Sequence, residues 1–277
     1  MENEITVTPV YDSAQRKHPA IEEALQVWRY RDLIKQLVRR DLTARYKRSV
    51  LGVAWTMLNP LGMMLVLTLV FSQLFKSTPG YPAYVLSGLI AWNFFAQSTT
   101  MAMNSLVWGG DLFERIYVPR SVFAVSAVGT GLVNLLLSLV PLLLVMLVVQ
   151  VPIRVTALFA VVPIFFLACF ALGVGLLLSS LAIYFYDIVE MYSNIILLAW
   201  MYLTPIIYPV EAIPDPFRGW LFYNPMTHLV SLFRQPLFYG TMPTFNGVWP
   251  SALISLGTLA LGWFVFTQRS DAFAYRT

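Results

Sequence analysis

Arg45, Lys47 and Arg48 crowd together just ahead of a long apolar run. Clustered cations of this kind can hold several negative oxygens through charge-assisted hydrogen bonds, or can anchor a chain to anionic lipid. Few other residues are placed to do chemistry. Asp187 and Glu190 are three apart and would share a helix face, but they flank an apolar run, and hydrolases that use paired carboxylates need a substrate cleft around them. Capping or contact with a partner suits them better. His18 and His228 lie far apart and Cys169 is the only cysteine, so one chain can build neither a disulfide nor a Cys/His metal cluster. No Gly-Lys dipeptide occurs, so the phosphate-cradling Gly-x-x-x-x-Gly-Lys-[Ser/Thr] loop is missing, and any ATP-driven work needs another polypeptide. Gly173-Val174-Gly175 lacks the third glycine of a dinucleotide fingerprint. With Ala171 and Gly175 four apart, these small residues favour close helix contact.

The elements that must position such residues are membrane helices. Hydrophobic residues make up 58% of the 277 and charged ones only 12%, a surface that would not stay in water. The aromatic share of 15%, rich in Trp and Tyr, suits residues that gather at headgroup level. Six stretches lack Asp, Glu, Lys and Arg: 49–75, 77–110, 121–153, 155–186, 191–210 and 235–268. Each reaches the roughly 20 residues that a helix needs to cross the hydrocarbon core. Pro60, Pro141 and Pro163 fall inside these stretches and are expected to kink the helices without breaking them.

Lys and Arg set the orientation. With both termini in the cytosol, ten basic residues before Ser49 and Arg115, Arg120, Arg269 and Arg276 fall inside, against Lys76, Arg154, Arg218 and Arg234 outside. This crowding also explains the net charge of +4 better than nucleic-acid binding does. No charged residue is placed mid-bilayer, which argues against ion-driven transport. The first apolar run begins after Arg48, too late for a cleaved secretory signal, so the N-terminus is expected to be retained. Within 22–48, Tyr30, Ile34, Leu37, Val38, Leu42 and Tyr46 recur at helical spacing opposite Arg31, Lys35, Arg39, Arg40 and Lys47. The pattern predicts an amphipathic helix on the cytosolic face. Between the fifth and sixth spans, the Pro-rich segment 208–217 and the half-apolar stretch to Gly240 fit a short re-entrant or interfacial helical pair on the outer face. The expected fold is therefore an all-α integral membrane protein. Residues 1–48 form a cytosolic segment with its interface helix, 49–268 a six-span domain, and 269–277 a cytosolic tail.

Several segments look familiar in their order: Arg39-Arg40-Asp41-Leu42, Arg45-Tyr46-Lys47, Ser49-Val50-Leu51-Gly52-Val53-Ala54-Trp55 and Asn59-Pro60-Leu61. Glu114-Arg115-Ile116-Tyr117-Val118-Pro119-Arg120 follows, then Thr204-Pro205-Ile206-Ile207-Tyr208-Pro209, and Tyr223-Asn224-Pro225-Met226 with Arg234 after it. Over nearly the whole chain this resembles the ABC-2 type permeases that export bacterial surface polysaccharides: O-antigen, capsule and teichoic acid. Tyr186 stands before Asp187 where that family often has Arg.

The resemblance implies a half-transporter in the cytoplasmic (inner) membrane. Two copies form the conduit and two separate ABC ATPase subunits bind ATP and Mg beneath it, so that this chain itself carries no cofactor and is not an enzyme. The implied cargo is a glycan on undecaprenyl diphosphate, of O-antigen or teichoic acid type, with Arg45, Lys47 and Arg48 as candidates to meet its diphosphate. The first and fifth spans are expected to line the path, which nominates Trp55, Tyr192, Trp200 and Tyr202 as stacking faces for sugars. Between the second and third spans, Asp111, Leu112, Phe113, Glu114, Arg115, Ile116 and Tyr117 could form barely two helical turns, with Asp111 and Arg115 each suited to its end of the helix dipole. Their apolar members can seat in a groove. In the resembling family this segment couples to the ATPase. A drug or small-lipid ABC-2 exporter would share the fold, and a glycolipid flippase or transferase working without ATP is a further alternative. Surrounding membrane lipids complete the expected partners, and nucleic acid is not among them.

Overall fold

The computed structural model describes residues 19–47, 49, 51–76, 78–107 and 118–273. Among them every regular element is helical. The expected amphipathic helix is two helices, α1 (Pro19–Arg29) and α2 (Arg31–Tyr46), that meet at Tyr30. Its apolar stripe does more than rest on a lipid surface. Leu37 is buried with Val122 and Phe123, and Val38 fits against Gly129, so α2 packs along α5 (Ser121–Val148). Glu23 accepts hydrogen bonds from the Ser121 backbone N–H and hydroxyl, and Trp263 Nε1 donates to the Ala20 carbonyl. These contacts fix α1 and α2 at one end of the bundle, the proximal end.

The long helices are α3 (Ala54–Phe71), α4 (Tyr81–Val107), α5, α6 (Val161–Ala182) and α11 (Phe245–Phe273). A 3-10 turn, Val155–Ala160, leads directly into α6. Four of these helical stretches are long and apolar enough to cross a membrane: Ala54–Phe71, Ser121–Val148, Val155–Ala182 and Phe245–Arg269. The second expected span corresponds to α4, which is long but carries Asn93, Gln97, Ser98, Thr99, Thr100 and Asn104. The fifth corresponds to Asp187–Leu203, built of short pieces: α7 (Asp187–Met191), a π turn (Tyr192–Ile196) and α8 (Leu197–Leu203). Helices α3 and α5 run unbroken across Pro60 and Pro141, while Pro163 stands in the first turn of α6.

α4 is the central element, buried along nearly all of its first half against α3, α5, α6 and α10 (Pro225–Arg234). α3 buries only Pro60, Met64 and Leu67, which fall on one face at helical spacing, and leaves Leu58, Leu65, Val66, Leu69 and Val70 outside. Its apolar outer face suits lipid or another copy better than water. The small residues of α6 serve packing. A Cβ on Gly173 would stand 2.6 Å from the Thr258 carbonyl oxygen of α11, and one on Gly262 would collide with the Gly173 backbone. On the other side, Gly175 leaves room for Ala102 of α4. Between α8 and α11 lie α9 (Asp215–Leu221) and α10, two short helices where the helical pair is expected. A π turn, Gln235–Tyr239, extends α10 and ends at Gly240 in the left-handed region, so the last long helix starts at Phe245 and not near 235.

Candidate functional site

A cavity of about 420 Å³ opens where α3, α4 and α5 meet the last turn of α2. Its position is unusual for polar groups. It lies at mid-length of α4 and α5 but beside the first two turns of α3, because α2 is laid along α5 and its C-terminal end reaches inward. Among the described residues Arg45 supplies the only charge lining it, and its Nη1 donates to Gln97 Oε1 at 3.5 Å, the outer limit of a hydrogen bond. Asn59, Asn93 and Asn134 add carboxamides to that of Gln97, and Thr56 and Ser138 add hydroxyls. Trp55 and Phe94 contribute ring faces. Among the described residues no carboxylate lines the cavity, so an anion entering it meets attraction from Arg45. Such a set can hold a phosphate by charge-assisted bonds and hydroxyls by amide donors and acceptors.

The opposite, distal end carries a second polar constellation of another kind. Arg234, at the end of α10, is 3% exposed. Its Nη1 donates to the Pro205 carbonyl at 2.6 Å and its Nη2 to the carbonyls of Ile206 at 2.7 Å and Tyr84 at 3.1 Å, while Nε reaches Ser87 Oγ at 3.3 Å. The guanidinium also lies 3.7 Å from the centre of the Tyr84 ring, and Gly88 is small where a Cβ would strike it. Tyr81 and Tyr84 donate to the carbonyls of Ile207 and Tyr208, and Asn224 Nδ2 to that of Leu203. Side chains therefore take up the carbonyls of the non-helical segment after α8, as a low-dielectric surrounding demands. Asn224 also caps α10 through the Met226 N–H.

The residues expected to act together are distributed unevenly. Arg45 and Trp55 share the cavity. Lys47 does not join them, but lines a shallow groove with Arg39 and Arg40 on another side of α2. Arg48 and the whole segment Asp111, Leu112, Phe113, Glu114, Arg115, Ile116 and Tyr117 lie outside the described residues. Of the other aromatics, Tyr202 is exposed, whereas Tyr192 is buried and its hydroxyl shares a 2.8 Å hydrogen bond with Thr99 Oγ1. Trp200 donates from Nε1 to Asn224 Oδ1 at 2.9 Å and sits edge-on to Phe95, with ring centres 5.2 Å apart. Within one protomer, then, Tyr192 is an interior group and Trp200 a partly buried one.

The sequence reading misses the carboxamides, although a sign of them is present: Asn93 and Gln97, and Asn134 and Ser138, recur one helical turn apart within apolar runs. It also assigns Arg234 to an outer segment as a topology mark and brings no cation inward. Arg45 and Arg234 both come from outside the long helices, one from α2 and one from α10.

Comparison with known families gives a match to the ABC-2 type transporter model over residues 32–238, from α2 through the π turn after α10. The chain belongs to the ABC-2 type transporter family. Curated relatives agree across most of their length. The O-antigen export system permease protein RfbA of Myxococcus xanthus is 32% identical over 90% of this chain and 96% of its own. The protein of the same description from Klebsiella pneumoniae is 28% identical over 76% and 82%. The polysialic acid transport protein KpsM of Escherichia coli is 23% identical over 86% and 94%. The cavity, the buried arginine and the helices that hold both all fall within the matched region of this transporter chain.

Proposed function

We propose that the chain is the membrane subunit of an ATP-driven exporter that moves a lipid-linked surface polysaccharide, of O-antigen or capsule type, across the cytoplasmic membrane. The observation that carries this reading is the cavity beside Arg45. An amide-, hydroxyl- and aromatic-lined space with Arg45 at its rim suits a phosphorylated glycan headgroup and would be wasteful for an apolar drug. The relatives' names, each of a polysaccharide export or transport protein, point the same way.

In this reading the proximal end faces the cytosol, where most Lys and Arg lie, and α3, α4, α5, α6, the run 187–203 and α11 are the six crossings. A cargo on undecaprenyl diphosphate reaches Arg45 from the cytosolic leaflet. Two copies of the chain enclose the path, with the exposed faces of α3 and α8 turned to each other. Hydrolysis belongs to two ATPase subunits, because the sequence lacks a phosphate-binding loop. Those subunits bind beneath Asp111–Tyr117, and replacing Phe113 and Ile116 by polar residues should release them while the permease still inserts.

Gene deletion in the native host tests the reading. Surface polysaccharide should disappear and lipid-linked glycan should accumulate inside, with both reversed by the intact gene. Unchanged surface glycan, with altered efflux of a small amphiphile, would support the drug or small-lipid exporter instead.

A further inference from the structure

The cavity contains more polar groups than a diphosphate needs. Asn59, Asn93, Gln97 and Asn134 reach it from three helices, and each carboxamide offers two donors and an acceptor oxygen. A phosphate takes donors only and is already served by Arg45, so the amide oxygens would face it unfavourably. Paired donors and acceptors match the adjacent hydroxyls of a sugar ring, and Trp55 and Phe94 supply the apolar faces against which such rings rest. These amides line the wall where three helices converge. They border open space of about 420 Å³, within the range of small-molecule sites of roughly 300–1,000 Å³.

We propose that this cavity recognises the single sugar that joins the glycan to its lipid diphosphate. The amides of Asn59, Asn93, Gln97 and Asn134 read the sugar's hydroxyls, while Arg45 holds the adjoining phosphate. The inference rests on the exporter reading above and adds that selection is made on one sugar as well as on charge.

The test uses the full chain reconstituted in lipid nanodiscs, with binding followed by native mass spectrometry or calorimetry. Three probes are compared: a short-chain polyprenyl diphosphate bearing one sugar, the same compound without the sugar, and phosphatidylglycerol. The sugar-bearing probe should bind about tenfold more tightly than the sugarless one, the worth of one well-made polar contact set. Asn93→Ala should remove most of that preference and leave affinity for the sugarless diphosphate unchanged, whereas Arg45→Gln should weaken both. Asn59 is exposed on α3. Asn59→Ala should therefore reduce the preference without disturbing packing, which keeps the test decisive if the Asn93 variant folds poorly. Equal affinity for the two diphosphates in the native chain would overturn the inference, and so would equally tight binding of phosphatidylglycerol, which would mark an ordinary phospholipid site. Either result leaves the exporter reading standing if gene deletion still abolishes surface glycan; a deletion without that effect removes the exporter reading itself.

Discussion

Arg234 and Arg45 sit at opposite ends of the same bundle in opposite surroundings. Arg234, on α10, is buried and meets three carbonyls, a hydroxyl and an aromatic face, drawn from α4 and the segment after α8. Arg45 is exposed at the rim of a cavity and reaches one amide oxygen at the limit of hydrogen-bond distance. A buried cation with every nitrogen engaged by the protein has little left for a ligand and serves the fold. A cation with donors to spare, beside uncommitted space, is available to bind. What separates the two is the number of acceptors that the fold brings to each, a property that residue type and position along the chain do not reveal.

The comparison breaks most visibly at Arg234. Arg234→Met should leave the Ile206 carbonyl buried without a donor, at about 1–3 kcal/mol, and the Pro205 carbonyl with only a long 3.4 Å bond from the Tyr84 hydroxyl. The expected result is a large fall in folded yield and melting temperature in detergent. Arg234→Lys keeps the charge but cannot span four acceptors, and should recover only part of the loss. A stable Arg234→Met variant would mean that the distal clamp does not hold the segment after α8.

Arg45→Gln should do the reverse. Stability should change by no more than about 0.5 kcal/mol, as for an exposed site, while export falls severely. Surface glycan measured against folded permease would read this directly, and normal export would return Arg45 to the role of a lipid anchor. A smaller effect is expected at Trp200→Phe, which keeps the ring among Phe95, Phe170 and Trp92 but loses the bond to Asn224. The cost should be about 1 kcal/mol, seen as a modest drop in melting temperature. Loss of export with unchanged stability would instead make Trp200 part of the path.

These contrasts also mark what could be read from the sequence. The long helices are legible because a charge-free run of sufficient length has few other fates in a membrane. Their limits are less so: the run 235–268 contains no charge, yet its first residues continue α10 as a π turn and only the chain reversal at Gly240 separates them from α11. The break at Tyr30 is equally hidden, since the apolar stripe continues across it. Part of the cavity is legible, in Arg45 and in Trp55. The carboxamides that complete it are scattered over residues 59–134 and acquire meaning only when α3, α4 and α5 pack together. For Arg234, the partners at 84, 87, 205 and 206 are remote in sequence and mostly backbone, which leaves no mark on residue type.

The smallest expected effect belongs to Asp32 on α2, whose carboxyl lies below its ordinary range because of the hydrogen bond and charge of Lys35. With the folded value the depressed one, any contribution of this pair is present above the unfolded carboxylate pKa and is lost as pH falls through the folded one. Both side chains are exposed, so Asp32→Asn should leave the melting temperature unchanged from neutral pH into acid. A loss at neutral pH that vanishes in acid would show that this side of α2 is covered by a partner.

The most direct test of the division between a binding cation and a structural one is export per folded permease, measured side by side for Arg45→Gln and Arg234→Lys in the same host. Arg45→Gln should insert and fold in native amounts and export poorly, whereas Arg234→Lys should fold in reduced amounts with each folded molecule exporting at the native rate. Native export per molecule in the Arg45 variant, or a well-folded Arg234 variant that fails to export, would contradict it.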